Sequence, residues 1–149
     1  MIEIKTFTEK LKPTSEEKKQ VVDFLYHHLE SFGDPKNDIE KAVNYSLKEY
    51  PSFGGFVLAA CENKEVVGAV VVNQTGMKDY IPENILVYIA THNERRGKGI
   101  GKQLMQEAIN QAEGNIALHV EPDNPARYLY EKLGFTSKYL EMRLMKSSS

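Results

Sequence analysis

The chain opens on an alternating stretch, MIEIKTF, whose apolar residues fall at every second position and predict a first strand. Thr14, with Glu17 three residues on, has the spacing of a capping box. Val21, Leu25, Leu29 and Phe32 then recur at helical intervals and predict a first helix. The segment FGDPKND breaks it. Ile39, Ala42, Val43, Leu47 and Tyr50 make the stripe of a second helix, ended by Pro51 and the pair Gly54 and Gly55. Two strand-like runs, GFVLAACE and EVVGAVVVNQTG, flank the polar dipeptide Asn63-Lys64 and read as a hairpin. NILVYIAT predicts a fourth strand. From Ile100 the period becomes helical, through Leu104, Met105, Ala108, Ile109 and Ala112, with Gly114 as its stop. NIALHVE predicts a fifth strand. Asn124 caps a fourth helix, with Pro125 in its first position and Gly134 at its end. The tail TSKYLEMRLMK predicts one or two further short strands, and the last residues a frayed end.

The predicted order is β-α-α-β-β-β-α-β-α-β. The two strand–loop–helix units on the C-terminal side imply parallel neighbours and the hairpin antiparallel ones, so an α/β fold with a mixed sheet is expected. No repeat, linker or low-complexity segment interrupts the 149 residues, which predicts one domain over 1–146 and a disordered tail over 147–149.

Composition changes the picture only by exclusion. Hydrophobic content of 41% with 27% charged residues is ordinary for a globular chain. A net charge of −2 argues against a nucleic-acid partner, which normally requires a basic face. Cys61 is the single cysteine, so no intrachain disulfide can form, and a reducing cytoplasmic setting is expected. The N-terminus lacks the apolar centre of a leader peptide. The longest apolar runs fall far short of the roughly 20 residues that span a bilayer, so no membrane partner is expected.

The candidate chemistry begins at HNERRGKGIGKQL, residues 92–104, where three glycines and four basic side chains stand between a strand and a helix. A kinase-type phosphate loop would need glycine where Arg96 stands and a hydroxyl where Gln103 stands. The dinucleotide fingerprint G-x-G-x-x-G would need a third glycine at Lys102. Single-stranded nucleic acid would call for interleaved aromatics, which the stretch lacks. What remains is R-x-x-G-x-G at Arg96, Gly99 and Gly101, an anion nest in which backbone amides at a helix start face an approaching phosphate. Arg95, Arg96, Lys98 and Lys102 add positive potential.

Two motifs together resemble those of the GNAT superfamily of acetyl-CoA-dependent N-acetyltransferases. IATHNERRGKGIG is similar to that family's strand and pyrophosphate loop. NPARYLYEKLGF, whose Asn124 lies 23 residues beyond Gly101, is similar to its second motif. The resemblance covers roughly residues 55 to 146. It implies the GNAT fold, with a mixed sheet of about six to seven strands, four helices, and a fourth and fifth strand that splay apart to admit the donor. It implies an acyltransferase that moves acetyl from acetyl-CoA to a primary amine by direct attack in a ternary complex, without a metal. The partners it implies are coenzyme A and an amine acceptor, with a monomer or homodimer as the expected assembly. A catalytically silent acyl-CoA-binding sensor or partner module of the same fold is the alternative.

The resemblance also assigns residues. The pyrophosphate would lie on the amides of Arg96, Gly97, Lys98, Gly99, Ile100, Gly101 and Lys102. The pantetheine arm would pair with Ile89, Ala90 and Thr91, and Asn124 would sit near the pantetheine or thiol. Tyr130 matches the general acid that protonates the leaving thiolate, a task suited to a phenol that keeps its proton at neutral pH. For the base there are two candidates. Glu83 lies two residues before the fourth-strand position, Ile85, at which related enzymes carry a glutamate. His119 is the central residue of LHV on the fifth strand, where other members carry a glutamate, and a neutral imidazole suits proton acceptance. His92 lies in the loop's exposed approach, and His27 and His28 belong to the first helix. The acceptor surface implied by the fold brings together FGDPKND, EYPSFGG and GMKDYIPEN, with acids such as Asp34 and Asp38 and aromatics such as Tyr50 and Tyr80.

Overall fold

The alternating N-terminus forms β1 (Glu3–Phe7), and Thr14 starts α1 (Ser15–His28). The Thr14 hydroxyl accepts from the Glu17 amide at 3.0 Å while the Glu17 carboxylate accepts from the Thr14 amide at 2.9 Å, so the capping box is present. After a short turn comes α2 (Lys36–Ser46), and Leu47, one residue past its end, is fully buried. β2 (Gly55–Glu62) and β3 (Glu65–Gln74) form the expected hairpin. Asn63 and Lys64 join them with φ of 52° and 67°, the left-handed pair that lets a two-residue turn follow the strands' twist. β4 (Asn84–Thr91), α3 (Ile100–Gln111) and β5 (Ile116–Leu118) follow, and then α4 (Arg127–Lys132).

The structure is a computed structural model that describes residues 1–147, so Ser148 and Ser149 of the expected disordered tail lie outside the described residues. The chain forms two compact units, Met1–Leu118 and a second that begins at His119. In the first, the sheet order is β1-β2-β3-β4-β5. The first four strands run antiparallel to their neighbours, and β5 lies parallel to β4, as the crossover through α3 requires. The mixed sheet and the four α-helices agree with the sequence.

Each face of this sheet has its own cover. Val57, Ala59, Ala69, Val71, Tyr88 and Ala90 pack with Val21, Val22, Phe24 and Leu25 of α1 and with Ile39, Val43 and Leu47 around α2. On the other face α3 buries Ile100, Leu104, Met105 and Ala108. It lies so close to β3 that a Cβ on Gly68 would fall 2.7 Å from Leu104 Cδ1, so glycine there is a packing requirement.

Two features of β4 prepare the site. Its pairing with β5 covers only Asn84, Ile85 and Leu86, and among the described residues no strand pairs with the run Val87–Thr91 on that side. On the other side Tyr88 pairs with Val71 and Leu86 with Val72, so Val87 is an extra, bulged residue.

Five strands form among the described residues, fewer than the six to seven expected. β5 occupies only the centre of NIALHVE. No strand forms in the tail, where Tyr139, Leu140, Met142, Leu144 and Met145 are 79–90% exposed. Alternation specifies a face, but a strand also needs a neighbouring backbone, and among the described residues none of the tail's amides or carbonyls pairs with one. In the second unit α4 starts later than expected: Ala126, not Asn124, stands before its first residue and makes no side-chain cap, while the Asn124 side chain accepts from the Ala126 amide at 2.9 Å in the turn that leads into the helix. Gly134, at φ 104°, ends it. Among the described residues, no helix is long and apolar enough to cross a membrane.

Candidate active site

The chain leaves β4 at Thr91, and the His92 amide bonds the Val67 carbonyl at 2.9 Å. The His92 ring does not project into solvent as its place in the loop suggests. Its Nδ1 accepts from the Glu94 amide at 3.1 Å and caps a single 3₁₀ turn, Asn93–Arg95. Gly97 and Gly99 then take left-handed conformations, φ 83° and 82°, and α3 starts at Ile100. A Cβ on either glycine would meet nothing within 4 Å, so backbone conformation, not crowding, is what calls for glycine in the protein alone.

The result is a row of free donors. None of the backbone amides from Arg96 to Lys102 donates to another protein group among the described residues. α3 has no side-chain cap and no acidic residue in its first turn, so the positive end of its dipole is uncompensated. The four basic side chains of the stretch divide in two. Arg95 pairs with Glu62, and Arg96 lies 3.5 Å from Glu30. Lys98 and Lys102 make no ion pair among the described residues. Ile89, Ala90 and Thr91 lie on the part of β4 that β5 leaves unpaired, immediately before the loop.

Glu83 has backbone partners that the sequence does not reveal. It precedes β4, and its carboxylate accepts from the Asn115 amide at 2.6 Å and the Asp79 amide at 2.9 Å. These two bonds hold its pKa below the usual carboxylate range. The approach depends on Gly114, where a Cβ would lie 2.3 Å from Glu83 Oε1. Glu83 is therefore a brace between the turn after α3 and the loop before β4. The sequence also missed Tyr88, whose hydroxyl reaches the carboxylate of Asp34. Its one signal is a polar group within the otherwise apolar run of β4.

The remaining candidates belong to the second unit. His119 follows β5 and is exposed, outside any strand. Tyr130 lies on α4, 7% exposed, with its ring 6.1 Å from that of Phe135. Burial pushes its phenol up to about 12, so it holds its proton throughout the neutral range. The Tyr130 hydroxyl has no hydrogen-bond partner among the described residues. Among those residues, no group of three or more His, Cys, Asp or Glu side chains is placed to hold a metal ion.

Known proteins agree with this architecture. A GNAT-family acetyltransferase from Streptococcus pneumoniae TIGR4 superposes with a TM-score of 0.71 at 19% identity, over 99% of this chain and all of that one. A ribosomal-protein-alanine N-acetyltransferase from Brucella melitensis biovar Abortus 2308 superposes at 0.67 with 18% identity, over 98% of this chain and 99% of that one. In sequence, the chain is 30% identical over 96 residues to N-alpha-acetyltransferase 30 of Schizosaccharomyces pombe, a match spanning 61% of this chain and 62% of that protein. The Acetyltransferase (GNAT) family profile matches residues 21–135, from the middle of α1 to just past α4. With a match over that much of its length, the chain belongs to the GNAT family of acetyltransferases.

Proposed function

We propose that the chain transfers acetyl from acetyl-CoA to a primary amine, by direct attack of the amine while both substrates are bound. The observation that carries the reading is the row of free amides from Arg96 to Lys102, opened by the left-handed Gly97 and Gly99 at the start of α3. Free amides and a helix dipole suit a pyrophosphate, and Lys98 and Lys102 add charge that no ion pair among the described residues consumes. The unpaired run of β4 suits the amide-bearing pantetheine arm, which would add as a strand along Ile89, Ala90 and Thr91. Asn124 is assigned to the pantetheine or the thiol.

In this reaction the amine nitrogen bonds the thioester carbon and the carbon–sulfur bond breaks. Tyr130 donates its proton to the departing sulfur, a role that its unpartnered hydroxyl, protonated at neutral pH, supports. The amine's proton passes to His119 or to water. Glu83 is the weaker candidate because its carboxylate is committed to two backbone amides.

The names of the Schizosaccharomyces and Brucella proteins put peptide α-amines first among acceptors. The test is release of free thiol from acetyl-CoA with peptides, amino acids, polyamines and aminoglycosides as acceptors. Release with one class supports the proposal. Tight donor binding with no release from any class contradicts transfer and favours a silent acyl-CoA-binding module.

A further inference from the structure

The turn between β4 and α3 is fastened to the end of α1 at two points, and both are on His28. The Asn93 amide donates to His28 Nδ1 at 3.2 Å, and the Arg96 guanidinium donates to the His28 carbonyl at 3.4 Å. The ring is held in place, 7% exposed, with centroids 4.5 Å from Phe24, 4.6 Å from His27 and 4.4 Å from His92. Asn93 and Arg96 bracket the 3₁₀ turn, and the free amides begin at Arg96. Because Nδ1 accepts, the neutral ring carries its proton on Nε2. A protonated ring has no acceptor left, and the Asn93 amide then faces another donor.

We infer that His28 is a positioning residue for the pyrophosphate loop: neutral, it docks the Asn93–Arg96 turn against α1, and protonated it releases that turn. The inference rests on the reading of this loop as the pyrophosphate site. His28 contacts the ligand in neither state and acts through Asn93. The groups around the ring mostly oppose its charging: His27 on α1, His92 at the entry to the turn and Arg96 in the loop, against Glu30 alone favouring it. Burial is the largest influence and acts in the same direction, so the imidazole stays neutral below the ordinary histidine range. Coenzyme A affinity is therefore full at neutral pH and falls in acid.

The measurement is calorimetry of coenzyme A with the parent, His28→Asn and His28→Phe, from about pH 7.5 to about 4.5, a span that reaches well below the ordinary histidine value, as the lowered pKa of His28 requires. Asparagine keeps an acceptor near the Nδ1 position and does not titrate. Phenylalanine keeps a ring and loses the acceptor. The parent should lose about fivefold more affinity than His28→Asn over this range, the worth of one ordinary hydrogen bond. The comparison cancels the titration of the ligand's own phosphates. His28→Phe should already be weak at neutral pH and show no extra fall. Parallel falls in the parent and His28→Asn overturn this inference alone. A parent that binds no coenzyme A at neutral pH overturns the loop reading and this inference together. A nuclear magnetic resonance titration of the unaltered protein gives a check independent of variant folding. The Asn93 amide proton should shift with the midpoint of the His28 ring, and an amide that ignores that titration overturns the docking.

Discussion

The Tyr88 hydroxyl donates to the Asp34 carboxylate at 2.5 Å, tying the bulged part of β4 to the loop between α1 and α2. The partners are unlike: Tyr88 is 8% exposed, while Asp34 stands at the surface. Removing Asp34 therefore strands a hydroxyl, whereas removing the hydroxyl returns a carboxylate to water. Asp34→Ala should cost about 1–3 kcal/mol and Tyr88→Phe about 1 kcal/mol. Urea unfolding of both single variants and the double variant checks this. The double should cost less than the sum of the singles, and strict additivity would show that the bond contributes nothing.

Alkaline pH should weaken the fold through two phenols. Burial raises the pKa of Tyr130 to about 12, and burial with the Asp34 bond also raises that of Tyr88. Both groups ionise near their ordinary value of about 10 in the unfolded chain. As pH climbs past that value the unfolded chain loses protons first, so stability present below it declines through the range up to the folded value. Urea midpoints measured across this range should fall, and Tyr130→Phe should show a shallower decline than the parent. Equal slopes would contradict the burial of that phenol.

Gly114→Ala should destabilise more than its backbone conformation alone explains. At φ 93° an alanine pays about 1–2 kcal/mol for left-handed geometry. Its Cβ would also displace the Glu83 carboxylate, 2.3 Å away, from the Asn115 amide. In a Glu83→Ala background only the backbone part should remain. Thermal unfolding of the four proteins separates the two contributions, and an unchanged Gly114→Ala cost in that background would refute the brace.

Tyr130→Phe should lower turnover by about 10²–10⁴-fold, the usual worth of a positioned proton donor. Acetyl-CoA affinity should stay close to the parental value, because the role proposed for the hydroxyl is at the leaving sulfur. Steady-state kinetics together with binding calorimetry check the split, and parental turnover would remove Tyr130 from the acid role.

What could be read from the chain was local. The Thr14–Glu17 box, the Asn63-Lys64 turn and the run from β4 through the glycines into α3 each lie within a dozen or so residues, where spacing specifies geometry. What escaped depends on partners far away in sequence. Tyr88 and Asp34 stand 54 positions apart, and Asn93 and His28 stand 65 apart. Glu83 read only as a candidate base because nothing near it in sequence reveals the Asn115 amide it meets across 32 positions. The tail failed in the opposite sense: Tyr139 to Met145 has the composition of a strand, and composition does not supply a backbone to pair with. The loop's glycine turns were legible, but the pairing of its charges was not. Arg95 and Arg96, which looked like ligands for phosphate by sign, are held in ion pairs to Glu62 and Glu30.

The central claim is that the amides of Arg96 to Lys102 hold the pyrophosphate of coenzyme A. Calorimetric titration of acetyl-CoA into the parent and into Gly99→Val tests it most directly. Valine at φ 82° is strained, and its branched side chain would stand in the open space proposed for the phosphates. The account predicts binding by the parent and none by a Gly99→Val protein whose circular dichroism is unchanged. Tight binding retained by that variant would contradict it.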